Sequence, residues 1–181
     1  PENIQRQMDE FKIMLMLKHP NILKTYGQFI DDQKQKLSIL LEYCPIDLEK
    51  VVQNKMLSKV QQVYFIYQIA KGMKYVHSQN IIHHNLKPSN ILLSEYGTIK
   101  IGDFDKAQIV KSKDQLEGID DIYAFGSIVH FILSGDDILS EEKISTLSPF
   151  AQKLISDCCF VAPESRTTFE KICDVLESNH F

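Results

Sequence analysis

The chain opens on apolar positions four, three and four residues apart, at Ile4, Met8, Phe11 and Leu15. That spacing lays one stripe along a helix and predicts helix over 2–17. His19-Pro20-Asn21 ends it, because proline disfavours the helical conformation just before it. Ile22–Phe29 and Leu37–Tyr43 then read as strands joined by the polar turn Asp31–Lys36. Pro45 breaks the second strand, and Asp47 caps a short helix over 48–53. Ser58-Lys59-Val60-Gln61 has the form of a capping box and opens a helix to about His77, with Val63, Ile66, Ala70, Met73 and His77 on one side.

Next comes a stretch with two polar clusters, His83–Asn90 and Asp103–Asp105. Two apolar runs lie between them, Ile91–Leu93 and Thr98–Ile101, joined by a Ser-Glu-Tyr-Gly turn. The pattern predicts a hairpin whose ends both present Asn, Lys and Asp, which gathers metal and phosphate ligands in one place. From Asp120 to Ser134 the chain is apolar nearly all round, so a helix there must be buried on every side, with Gly135 terminating it. Ser148-Pro149 opens a helix through Cys159, and Thr167-Thr168-Phe169-Glu170 reads as a second capping box opening the last helix.

Composition narrows the class. The 181 residues are 44% hydrophobic and 24% charged, ordinary for a globular chain. A formal net charge of -4 gives no electrostatic case for nucleic acid. The start is too polar for a signal peptide, and the longest apolar run, Ile122–Leu133, is too short to span a bilayer. The four cysteines show no zinc spacing, and reduced thiols in an intracellular protein are the expectation. The partners expected are therefore proteins, with no nucleic acid and no membrane. Nothing in the residues sets an oligomeric state.

Five segments in order resemble the eukaryotic protein-kinase catalytic domain from its helix C onward. Glu10 with His19-Pro20-Asn21-Ile22 resembles the end of helix C and the turn after it. His83–Asn90 resembles the catalytic loop H-R-D-L-K-P-x-N, and Asp103-Phe104-Asp105 resembles D-F-G. Asp121–Gly126 resembles the start of the central buried helix, and Pro163–Thr167 the late P-x-x-R element. The resemblance covers nearly the whole chain. It implies an α+β, bilobal protein-kinase-like fold. Residues 1–43 would be a truncated N-lobe, helix C plus about two strands, and 44–181 a mainly α-helical C-lobe.

The resemblance also implies roles. Asn90 and Asp103 are the hard oxygen ligands that would hold Mg²⁺ on the phosphates of ATP. Lys87 is a point charge for a γ-phosphate, in a loop of Ser/Thr-specific type. Leu92 resembles the floor of the adenine pocket; Leu41, Glu42, Tyr43 and Cys44 resemble gatekeeper and hinge, although core packing accounts for the apolar ones equally well. His83 and Phe104 resemble an internal packing column, with Met14 and Thr25 above and Asp121 below. Adjacent His83 and His84 do not read as a metal pair.

The pattern also fails at named places. Asn85 stands where the family has its catalytic Asp, and an amide cannot take the proton of an acceptor hydroxyl. A positioned base contributes roughly 10²–10⁴-fold, or about 3–5 kcal/mol. Asp105 replaces a glycine, and His84 replaces an Arg. The sequence holds no G-x-G-x-x-G loop and no V-A-I-K-type lysine strand, and the short run Lys106–Asp120 that links Asp103-Phe104-Asp105 to the buried helix carries no A-P-E. Glu10 therefore reads either as an ion-pair residue without its lysine or as an exposed helix glutamate. Arg166 lacks its usual glutamate, with Glu117 a substitute. Two strands and one helix cannot bury a lobe alone, so more chain before Pro1, a partner, or an unstable upper lobe is expected. The expected function is a Ser/Thr-type pseudokinase acting as a regulatory or scaffolding module in signalling. The alternative is a weakly active ATP-dependent kinase whose glycine-rich loop and lysine precede Pro1; a degraded product without binding function is a third.

Overall fold

A computed structural model describes residues 2–31, 36–110 and 118–178. The architecture is α+β: a helix and a two-stranded sheet above a mainly helical body that carries five short strands in two small sheets among the described residues.

Helix α1 spans Glu2–Met16. Its buried face is not the expected stripe. Ile13, Met14 and Leu17 are buried, whereas Leu15 is 49% exposed; the side chain of Ile4 lies outside the described residues. Positions 10, 13, 14 and 17 follow the i, i+3, i+4, i+7 rule, which puts half-buried Glu10 on the inner face. Phe11 flanks that face, and Leu15, one turn beyond Phe11, is carried round to solvent.

The first expected strand divides in two. Ile22 bridges Ile101 in parallel, and Leu23 donates its N–H to the Ile101 carbonyl at 2.9 Å. Only β1 (Thr25–Asp31) pairs antiparallel with β2 (Lys36–Leu41), through a bulge between Thr25 and Gly27. Leu37 packs inward, while Tyr26, Phe29 and Leu40 are exposed. The connection to α1 is pinned by a buried amide pair. Asn21 Nδ2 donates to Gln68 Oε1 at 2.8 Å and to the Ile99 carbonyl at 3.1 Å.

After β3 (Ile46–Asp47), helix α2 (Leu48–Gln53) starts on Asp47, whose carboxylate accepts the Lys50 N–H at 2.9 Å. Helix α3 (Lys59–Ser78) opens on the Ser58/Gln61 capping box, as its sequence predicts. Its buried face is broader than one stripe, from Phe65 to Val76, while Val63 and His77 are only half-buried.

Strand β4 (Ile81–Ile82) leads into the polar loop, and a 3-10 turn over Pro88–Asn90 leads into β5 (Ile91–Leu93). β5 pairs with β6 (Ile99–Ile101) through the expected turn, with Gly97 at φ 73°. β3 pairs on the other side of β5, and β7 (Gln108–Ile109) pairs with β4. The hairpin is thus the centre of a small sheet laid against α3.

Helix α4 (Ile119–Ser134) ends on Gly135 in the left-handed conformation, φ 75°. It is buried on most sides, but Tyr123 is 42% exposed beneath the Arg166 guanidinium. A short helix, α5 (Glu141–Ser145), has no counterpart in the sequence reading. Helix α6 (Pro149–Cys159) starts on Ser148, as predicted. A Cβ on Gly126 would lie 2.4 Å from Cys159 Sγ, so glycine sets how closely α4 and α6 approach. Helix α7 (Phe169–Ser178) is capped by Thr168, not Thr167: Thr168 Oγ1 accepts the Lys171 N–H at 3.3 Å. All four cysteines are free thiols. Among the described residues no helix is long and apolar enough to cross a membrane.

Candidate functional site

The polar loop is built on Asp121, in the first turn of α4. Its carboxylate, 1% exposed, accepts the N–H of His83 at 2.8 Å and of His84 at 2.9 Å. His77 Nε2 lies 2.9 Å from the same oxygen that holds His83. Burial raises the Asp121 pKa, but the hydrogen bond and charge of His77 and the His83 amide outweigh it and hold the carboxyl below its ordinary value. These bonds support His84 at φ 56°, a left-handed backbone that few non-glycine residues adopt. The sequence places His77 on an apolar helix face; its role as Asp121's partner has no local signal there.

His83 is fully buried against Phe104, ring centroids 4.7 Å apart. Its Nδ1 accepts the Asn85 N–H at 3.2 Å, so Nε2 carries the proton and donates to the Gly102 carbonyl at 3.1 Å. Burial pushes its pKa down, keeping the ring neutral. His83 therefore fastens the loop to the chain just before Asp103. Met14 is buried in the same core, whereas half-buried Thr25 donates its hydroxyl to the Leu40 carbonyl at 3.3 Å.

The two ends of the hairpin meet at Asn85. Its Nδ2 donates to Asp103 Oδ2 at 2.9 Å and to Asp105 Oδ1 at 3.2 Å. Two carboxylates facing one side-chain group demand donors, which fixes the orientation of the amide. Asn90 Nδ2 donates to the Asn85 carbonyl at 2.8 Å, leaving its own Oδ1 as the acceptor. Asp103 sits at φ 60°. Glu10 faces this cluster from α1: burial raises its pKa first, and the charges of Asp103 and Asp105 add to the rise. A cavity of about 490 Å³ beside them is lined by Glu10, His84, Phe104, Asp105 and Lys106, among others.

Among the described residues no three His, Cys, Asp or Glu side chains form a metal cage. Asn90 Oδ1 and the Asp103 carboxylate are nevertheless hard oxygen donors on one loop system. That set suits Mg²⁺ completed by phosphate and water rather than by protein. Lys87 is exposed on the same loop.

The expected hinge residues gather elsewhere. Glu42 Oε1 pairs with Lys100 Nζ at 3.0 Å, and Lys100 lies opposite Leu92 across the hairpin. The Glu42 N–H donates to the Lys24 carbonyl at 2.8 Å. Cys44 is half-buried beside them, its thiol pushed up by burial and then by the Glu42 charge. Leu41 is 38% exposed and Leu92 half-buried. None of these residues lines the cavity beside Glu10, nor a second of about 860 Å³ between α3, β4 and the start of α7. Arg166 Nη1 donates to the Ile119 carbonyl at 3.1 Å; Glu117 lies outside the described residues.

Residues 1–127 match the family model described as protein kinase domain. Relatives include "Extracellular signal-regulated kinase 2" of Dictyostelium discoideum, 34% identical over 98 residues, 54% of this chain and 27% of that protein. "Mitogen-activated protein kinase HOG1" of Arthrobotrys oligospora is 39% identical over 105 residues, 58% of this chain and 30% of that protein. The protein of the same name from Gibberella zeae is 38% identical over 109 residues, 60% and 30% respectively. The chain thus spans under a third of the length of these curated relatives.

Proposed function

Because the chain belongs to the protein kinase domain family, we propose that it is a Ser/Thr-type kinase domain impaired in phosphoryl transfer, which acts by binding a protein partner in signalling. The observation that carries this reading is Asn85. The position that should accept the hydroxyl proton holds an amide, and that amide faces Asp103 and Asp105 as a donor. A group spending its N–H bonds on two carboxylates offers no base to a substrate.

Nucleotide binding is a separate matter. When bound, Mg²⁺·ATP would supply the phosphoryl group and the cation that offsets its charge. Asn90 and Asp103 would hold the metal, Lys87 would face phosphate, and Leu41, Glu42, Cys44 and Leu92 would border the base. Glu10 reaches the site from α1, where burial and the charges of Asp103 and Asp105 act on it. On this reading residues 1–43 are the partial upper lobe and 44–181 the lower one.

The test incubates the chain with Mg²⁺, labelled ATP and a generic protein acceptor. The expected outcome is no incorporation above that of Asp103→Ala. Incorporation abolished by Asp103→Ala would favour a second reading, a weakly active kinase, which rests on Lys87, Asn90 and Asp103 all being present.

A further inference from the structure

Asn85 and Asp105 are two departures from the kinase pattern, twenty positions apart, and they touch. One nitrogen, Asn85 Nδ2, lies within 3.2 Å of both Asp103 Oδ2 and Asp105 Oδ1. Glu10, half-buried on α1, adds a third carboxyl close enough to feel both aspartates. The cluster therefore holds three acids, and the Asn85 amide is the neutral donor where two of them meet.

We infer that Asn85 and Asp105 are a coupled pair, in which the Asn85 amide is the positioning group that lets the Asp103 and Asp105 carboxylates share the site. The chemistry is one of donors and acceptors. A carboxylate accepts only, so an aspartate at position 85 would lose both hydrogen bonds and set a further negative charge against Asp103 and Asp105. Restoring the kinase-like residue at position 85 alone therefore harms the site. With Asp105 present, position 85 needs a donor. With a donor at position 105, position 85 can be acidic again, since the amide and the carboxylate have exchanged places and the bond survives with its direction reversed. Asn85 thus holds Asp103 as well as failing as a base. This coupling rests on contacts within the folded chain and not on the proposed loss of transfer, so either can fail without the other.

The experiment is a set of thermal melts without nucleotide at pH 7.5 on the whole chain: N85A, N85D, D105N, N85A/D105N and N85D/D105N. Asn85→Asp is expected to melt about 4–10 °C below Asn85→Ala. The N85D/D105N exchange is expected to recover at least half of the loss caused by Asn85→Asp. If N85D alone does not fold while N85A and the exchange variant do, the coupling is upheld at its extreme. Equal cost of Asn85→Asp with and without Asp105→Asn overturns the inference. So does an N85D chain as stable as the parent, or an exchange variant that fails to fold where N85A folds.

Discussion

Replacing Asp121 by alanine removes the anchor of the whole polar loop. Two main-chain N–H groups, those of His83 and His84, lose their acceptor, and His77 loses its carboxylate. His83 is fully buried, so in the intact loop its N–H has no bulk water to turn to. A buried donor left unpaired costs roughly 1–3 kcal/mol, and breaking a buried network by removing one partner costs about 3–5 kcal/mol. For a chain of this size about 2–4 °C of melting temperature accompany each kcal/mol, so Asp121→Ala should melt about 6–20 °C lower. Circular dichroism at pH 7.5 measures this. Asp121→Asn should fall between, because one of its two positions becomes a donor facing donors. The acid limb provides a second readout. A carboxyl whose folded pKa is depressed contributes stability above its ordinary value of 3.8, and that stability is lost as pH falls through the folded value. The wild type should therefore lose more stability below about pH 4 than the alanine variant does. A loss under about 2 °C at pH 7.5, or identical acid limbs, would refute the reasoning.

Two further outcomes follow from the packing. Burial pushes the pKa values of His19, His83 and His130 below the ordinary 6.5, and buried His130 Nε2 has no hydrogen-bond partner among the described residues. The unfolded chain then binds protons that the folded one refuses, so stability should fall as pH drops through about 6.5 toward the folded values; equal melting temperatures at pH 7.5 and 5.5 would contradict this. Gly126→Ala places a methyl 2.4 Å from Cys159 Sγ and 2.6 Å from Cys158 Cβ, and overpacking of this kind costs about 1–3 kcal/mol. Adding Cys159→Ala should return part of that loss in denaturant titration; no return would place the strain elsewhere.

The caps and the hairpin were legible because their signals are local. Ser58 with Gln61, Asp47, Ser148-Pro149 and the Ser-Glu-Tyr-Gly turn each settle their geometry within four residues. Thr167 and Thr168 are alike chemically, and only the backbone path decides which one caps α7. The face of α1 was misread because an apolar stripe through Phe11 competes with one that includes an acid. Tertiary contact chose the stripe with Glu10, toward Asp103 and Asp105. The division of Ile22–Phe29 between two partners depends on Ile101, some eighty residues later, which no local pattern encodes. In the site, the identities of Asn85 and Asp105 were plain in the sequence, but their contact was not. Two substitutions on separate segments reveal their coupling only when the hairpin brings them together.

The measurement that tests the central claim most directly is the turnover number for phosphate transfer. It should be made on the full product of the coding sequence, including whatever residues are encoded before Pro1, with Asp103→Ala as control. Protein kinases turn over at about 1–100 s⁻¹, and loss of a positioned base lowers a rate by roughly 10²–10⁴-fold. With an amide at position 85, transfer should stay at least about 100-fold below the ordinary range even with a complete upper lobe. Turnover within that range, abolished by Asp103→Ala, would contradict the account.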